Sequence, residues 1–201
     1  MANHLETREA AYKEAINAGR LKMLLVLLVC ASPVIASYVS YYFLKPDGRT
    51  NYGSLLEVKP LPHAPLALLD GKPFAMGEFK GKWLLVTIDG GACSDACIKK
   101  LYAMRQVRLA AGKDKERVER AWLINDAAAL STMTMREYDG TRMLRAPGAA
   151  VLKEFPAAQH VEDHIYLIDP LGNLVLRFPK DADPARMKKD LDRLLKYSRI
   201  G

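Results

Sequence analysis

From Met23 to Leu44 no side chain carries a charge, and this run constrains the chain more than any other stretch. About 20 apolar residues suffice for a helix to cross a bilayer, and lipid tolerates only structures that satisfy their own backbone. Arg20 and Lys22 flank one end, while Tyr38, Tyr41, Tyr42 and Phe43 gather at the other, as an interfacial aromatic belt does. The pattern predicts a charged, helical cytoplasmic tail over 1–20 and one transmembrane helix over 21–44. A cleaved signal peptide is the competing reading, with Pro33 ending its apolar core and Val34-Ile35-Ala36 as a small-residue cleavage site. The apolar run continues past Ala36 into the aromatic cluster, which favours an anchor that stays in place.

Residues 45–65 contain Pro46, Gly48, Gly53, Pro60, Pro62 and Pro65 and read as a linker. A single domain over 66–201 follows. Leu66-Ala67-Leu68-Leu69, Asp70-Gly71 and Phe74 read as a hairpin. Leu84 to Ile88 is a short apolar run of core-strand type, broken by Gly90 and Gly91. Ser94 or Asp95 is placed to cap a helix that runs through Leu101 and Met104 towards Gly112. Ala121 to Ile124 reads as a second core strand. His164 to Ile168 and Leu174 to Phe178 form a hairpin around Asp169-Pro170-Leu171-Gly172-Asn173. Asp183-Pro184 opens a last helix with Met187, Leu191, Leu194 and Leu195 as its buried stripe. The segment 126–160 gives only a helical hint from Ala127 to Met135, then breaks at Gly140, Pro147 and Gly148.

The chemistry concentrates in Cys93-Ser94-Asp95-Ala96-Cys97, which lies at the start of the first of these helices. There the free N–H groups and the helix dipole favour a thiolate over a thiol. Within a regular helix, Cβ atoms four residues apart lie about 5–6 Å from each other. A disulfide needs about 3.5–4.5 Å, so the pair closes only if Cys93 lies outside the helix. Two such sulfurs equally suit a soft ion, Cu(I) above all. The helix-start placement makes Cys93 the more exposed thiol and turns Cys97 towards the core. Asp95, between them, opposes thiolate formation. Cys30, in the apolar run, is left over. The net charge is +7, but no basic run is interleaved with aromatics, so nucleic acid is not an expected partner. The basic residues near the two ends of the anchor nearly balance. A disulfide-capable motif belongs in an oxidising compartment, which places the N-terminus inside and the domain outside.

The order strand, helix, strand, then strand, strand, helix is the plan of an α/β thioredoxin-like domain, a central mixed sheet with helices on both faces. From about Leu66 to Lys196 the chain resembles the Sco/SenC family of membrane-anchored, thioredoxin-like copper-chaperone proteins. The resemblance rests on Phe79-Lys80-Gly81-Lys82-Trp83, on Cys93 to Cys97, and on Asp163-His164 before Tyr166-Leu167-Ile168-Asp169-Pro170-Leu171-Gly172. It implies copper held by Cys93, Cys97 and a histidine, His164 or alternatively His160. It also implies disulfide exchange by the cysteine pair and assistance in cytochrome c oxidase assembly. The expected location is a bacterial inner membrane with the domain in the periplasm, and the expected partners are the membrane and an oxidase subunit or another copper or thiol protein. Ser94 and Ile98 stand where the family usually has prolines. Two further readings stay open: a general extracytoplasmic thiol–disulfide oxidoreductase with Cys93 attacking and Cys97 resolving, and an assembly factor without metal.

Overall fold

The computed structural model describes residues 2–43, 51–62, 65–148, 150–157, 159–198 and 200. The chain divides into two units, residues 1–49 and 50–201. The first contains helix α1 (Ala2–Phe43), in which Gly19–Tyr42 is long and apolar enough to cross a membrane. Pro33 does not end this helix. A proline removes one N–H donor, and the residues on either side keep the helix going. Tyr38, Tyr41 and Tyr42 pack on one another, with Tyr41 and Tyr42 edge-to-face at 5.0 Å between ring centroids.

The second unit is built on strands β1 (Ser54–Pro60), β2 (Pro65–Leu68), β3 (Pro73–Ala75), β4 (Trp83–Asp89), β5 (Val118–Ile124), β6 (Arg142–Arg145), β7 (Ile165–Ile168) and β8 (Asn173–Arg177). They form one mixed sheet in the order β1-β8-β7-β4-β5-β6-β2-β3. β4 lies parallel to β5 on one side and antiparallel to β7 on the other. Its side chains are buried from Trp83 to Ile88, which explains an apolar run without polar alternation. Trp83 and Leu85 face one core layer; Leu84, Val86 and Ile88 face the other.

Helices α2 (Asp95–Ala110), α3 (Thr132–Glu137) and α4 (Pro184–Tyr197) border the first layer, with Leu101, Met104, Val107, Tyr138, Met187, Leu191 and Leu195 packed into it. Short 3₁₀ turns cover the second, through Met76, Phe79 and Val151, with Phe155 just after the last of them. Helical segments therefore lie on both faces of a thioredoxin-like sheet, but α2, α3 and α4 share one face. Asp183 caps α4, its carboxylate accepting the Ala185 N–H at 2.9 Å, with Pro184 as first residue.

Two segments differ from the sequence expectation. Residues 45–50 and 63–64 of the expected linker, His63 included, lie outside the described residues. Between them, residues 54–60 are strand β1, paired with β8, so the sheet begins before residue 66. An edge strand needs backbone pairing on one side only. Its exposed Leu55, Glu57, Val58 and Lys59 therefore carry no alternating pattern. β6 is the second difference: four residues parallel to β5, with only Met143 and Leu144 buried, give too short a signal. The entry to β1 is pinned from α4. The buried Asp190 carboxylate accepts the Gly53 N–H at 2.8 Å, and the Arg186 guanidinium lies 4.0 Å from the Tyr52 ring centroid. Asp190→Ala should cost about 1–3 kcal/mol by leaving that amide unpaired, read as a lowered thermal midpoint. An unchanged midpoint would show that Asp190 does not hold β1.

Candidate functional site

β4 ends at Asp89, and the chain reaches α2 through Gly90, Gly91, Ala92, Cys93 and Ser94. The sequence predicts that the two glycines supply a sharp turn. In the structure neither has a positive φ; they supply room. A Cβ on Gly91 would sit 2.3 Å from the Ala128 carbonyl oxygen, and one on Gly90 2.5 Å from an Asp126 carboxylate oxygen. The Gly91 N–H donates to Asp126 Oδ1 at 2.8 Å. The segment after β5 thus clamps the cysteine turn from the side.

The left-handed backbone falls instead on Cys93, at φ +44°. For a non-glycine residue this costs on the order of 1–3 kcal/mol and persists only where surroundings enforce it. It takes Cys93 out of the helical path. Cys93 and Cys97 are joined as a disulfide with Cα atoms 5.1 Å apart. Ser94 caps α2, its Oγ accepting the Cys97 N–H at 3.5 Å. Cys97 is fully buried among the first core layer, Cys93 is half-buried, and Asp95 is exposed.

His164 lies at the same end of the sheet. In the antiparallel β4–β7 register Thr87 faces Ile165, so His164 is one step further towards the cysteine turn. Its Nδ1 is 2.9 Å from the Phe178 carbonyl oxygen. A carbonyl only accepts, so Nδ1 carries the proton and Nε2 keeps its lone pair. Burial is the main influence on this imidazole and pushes its pKa below the usual histidine range, which favours the neutral ring. A neutral ring with one nitrogen fixed by a carbonyl is the form in which histidine binds metal. His160 has no such fixation and is exposed. The structure brings Cys93 and Cys97 together. Among the described residues it gathers no three His, Cys, Asp or Glu side chains into a metal-ligand group.

One residue absent from the sequence expectation stands in this region. The Lys100 ammonium, 8% exposed, pairs with the Asp89 carboxylate at 2.7 Å. It also donates to the carbonyls of Ile88 and Glu162. Lys100 therefore ties the end of β4 and helix α2 to the turn just before His164. Removing one partner of such a buried pair typically costs about 3–5 kcal/mol. The signal was present in the sequence: Lys100 falls three residues after Cys97 on the stripe formed by Cys97, Leu101 and Met104, where a charge needs a partner. Asp163, beside His164, is held below the usual carboxylate range by its bond with Lys180, at 2.9 Å.

Comparison with known proteins agrees with this architecture. The family model described as a transmembrane-like, thioredoxin-like, C-terminal domain matches residues 83–198. Among solved structures, yeast Sco1 with copper bound superposes with a TM-score of 0.57 at 17% identity, over 71% of this chain and 96% of that one. ScoI of Bradyrhizobium japonicum with copper bound gives 0.51 at 22% identity, over 67% and 99%. Apo Sco1 of Thermus thermophilus gives 0.55 at 20% identity, over 72% and 96%. At these identities the likeness is one of fold, a Sco-like thioredoxin fold. No curated protein sequence matches the chain.

The unequal burial of the two sulfurs has a measurable consequence. After reduction, in a Cys30→Ser background, mild alkylation should label Cys93 well before Cys97. Equal or reversed labelling would contradict the placement of Cys97 in the core.

Proposed function

The chain belongs to the family of transmembrane-like, thioredoxin-like C-terminal domains, and on that premise we propose that it is a membrane-anchored dithiol protein that carries copper as cargo. The observation that carries this reading is the pairing of a closable cysteine couple with His164 at one end of the sheet. His164 is already in the tautomer that leaves Nε2 to bind. Two sulfurs and an imidazole suit Cu(I), which favours soft donors. In the disulfide neither sulfur is a thiolate. A dithiol reductant would supply two electrons and two protons, opening the bond to two thiols, whose deprotonation gives the donor pair. Cys93, half-buried, would pass the ion to and from a partner, and buried Cys97 would hold it from below. His164 would complete the set.

The same couple supports thiol–disulfide exchange as its second activity. The half-buried Cys93 sulfur is the one an incoming thiolate reaches first, since Cys97 is fully buried, and Cys97 lies close enough to resolve the mixed disulfide. The resemblance to the Sco/SenC family favours a copper or thiol protein as partner, a cytochrome c oxidase subunit in particular. It also favours a domain in the periplasm of a bacterium, tethered by Gly19–Tyr42 in the inner membrane with the N-terminus inside.

Reduced full-length protein in detergent should bind one Cu(I). His164→Ala should weaken that binding tenfold or more, and His160→Ala should leave it unchanged. If both variants bind as the parent does, the three-ligand reading fails and dithiol exchange becomes the better account. Topology is tested separately. A reporter active only outside the cytoplasm should work when fused after Gly201, and release of a shortened protein starting near Ser37 would overturn the anchor.

A further inference from the structure

Core packing does not place the turn that leads into His164. This turn is the short 3₁₀ segment Val161–Asp163, and none of its residues is buried, although Val161 touches the second core layer. His164 itself is half-buried. Glu162 and Asp163 line a groove of about 590 Å³, together with α2 and Lys180, so this side of the turn faces open space. A segment without buried side chains takes its position from polar bonds.

Three side chains grip the turn. The Lys100 ammonium donates to the Glu162 carbonyl, Asn125 Nδ2 donates to the Glu162 carboxylate at 2.8 Å, and Lys180 pairs with Asp163 at 2.9 Å. The Lys180 side chain is 64% exposed, and an exposed pair contributes little. Asn125 is half-buried and follows directly on β5. Lys100 differs from both. It is buried, where a low local dielectric strengthens its bonds. It also stands on α2, three residues after Cys97, so its grip joins the turn to the helix that carries the buried sulfur.

The ammonium has three N–H groups, and each has an acceptor: the Asp89 carboxylate at 2.7 Å, the Ile88 carbonyl at 3.4 Å and the Glu162 carbonyl. A buried ion pair adds little stability over a well-packed apolar replacement, so the packing of α2 alone does not call for this lysine. A long stem ending in a point charge does what an apolar side chain cannot, reaching from the helix to the turn. None of its bonds involves a sulfur, so opening the disulfide leaves them in place.

We propose that Lys100, with Asn125 as a second clamp, is the positioning residue for His164. It holds the turn before His164 to the cysteine helix in oxidised and reduced protein alike, so a third donor is in place when the disulfide opens. The consequence for Cu(I) rests on the proposed copper function; the hold on the turn does not.

Lys100→Met combined with Asp89→Asn removes the cation without leaving a buried charge unpaired, and both are made in the full-length protein in detergent. Without metal, hydrogen exchange at the Asp163 and His164 amides, which donate to the His160 and Val161 carbonyls, should quicken about tenfold or more, the loss of a charged hydrogen bond. Exchange in β4 should stay as in the parent. In reduced protein, Cu(I) affinity measured against a chromophoric chelator should fall about tenfold, a usual cost of losing a group that orients a ligand. In a His164→Ala background the same two substitutions should cost nothing further, whereas a merely structural loss would lower affinity in both backgrounds. Unchanged exchange at the two amides overturns the proposal, and so does a loss of affinity that persists without His164. If the double variant does not fold, Asn125→Ala, which leaves the ion pair intact, decides by the same exchange measurement. Cu(I) binding by the parent that ignores His164, together with faster exchange in the variant, overturns the copper function and supports the hold of Lys100 on the turn.

Discussion

Burial of β4 on both faces and pairing on both edges is the constraint from which the rest of the domain follows. With Trp83 to Ile88 out of water, each large side chain there contributes about 1.5–3 kcal/mol. No register slip is tolerated, because a shift of one residue would exchange the two core layers. The C-terminal end of that strand is therefore a fixed platform. The glycine turn, the cysteines and the start of α2 are all displaced from it by a few residues. His164 reaches the same platform through the antiparallel β7.

What the platform carries is held under local tension and paired charge. Cys93 adopts a left-handed backbone because the glycines before it are clamped against Asp126 and Ala128 and the helix after it is capped by Ser94. That bend lets two cysteines four residues apart approach closely enough to bond. Lys100 and Asp89 sit beneath, and the ammonium reaches across to the Glu162 carbonyl. The cysteine helix and the histidine turn are thus joined by a buried cation rather than by apolar contact alone. Near the sulfurs this buried cation on α2 is fully partnered, by the Asp89 carboxylate and two backbone carbonyls.

The site's asymmetry has one origin. Cys97 belongs to a helix whose buried stripe continues through Leu101 and Met104, so its sulfur faces the core. Cys93 belongs to the loop, so it is only half-buried. His164 joins as a strand-edge residue whose ring is oriented by the Phe178 carbonyl on β8. Helix, loop and strand each bring one group, and each group inherits the exposure of the element that carries it.

The sequence by itself determined the apolar helix, the strand–turn–helix around the cysteines, the β7–β8 hairpin and the capped last helix. These are local: an uninterrupted apolar run, a Ser cap, an Asp-Pro start and a glycine turn act over a few neighbouring residues. The Sco-like, thioredoxin-like plan was legible for the same reason, since it is an order of such elements. Tertiary structure alone decided the rest. β1 is a strand only because β8 offers it an edge, and β6 only because β5 does. Gly90 and Gly91 are needed for the space that Asp126 and Ala128 take, not for their own torsions. Lys100 looks like one more surface lysine by residue type alone. Its meaning comes from the burial of its charged group, a property set by partners 12 and 62 residues away along the chain.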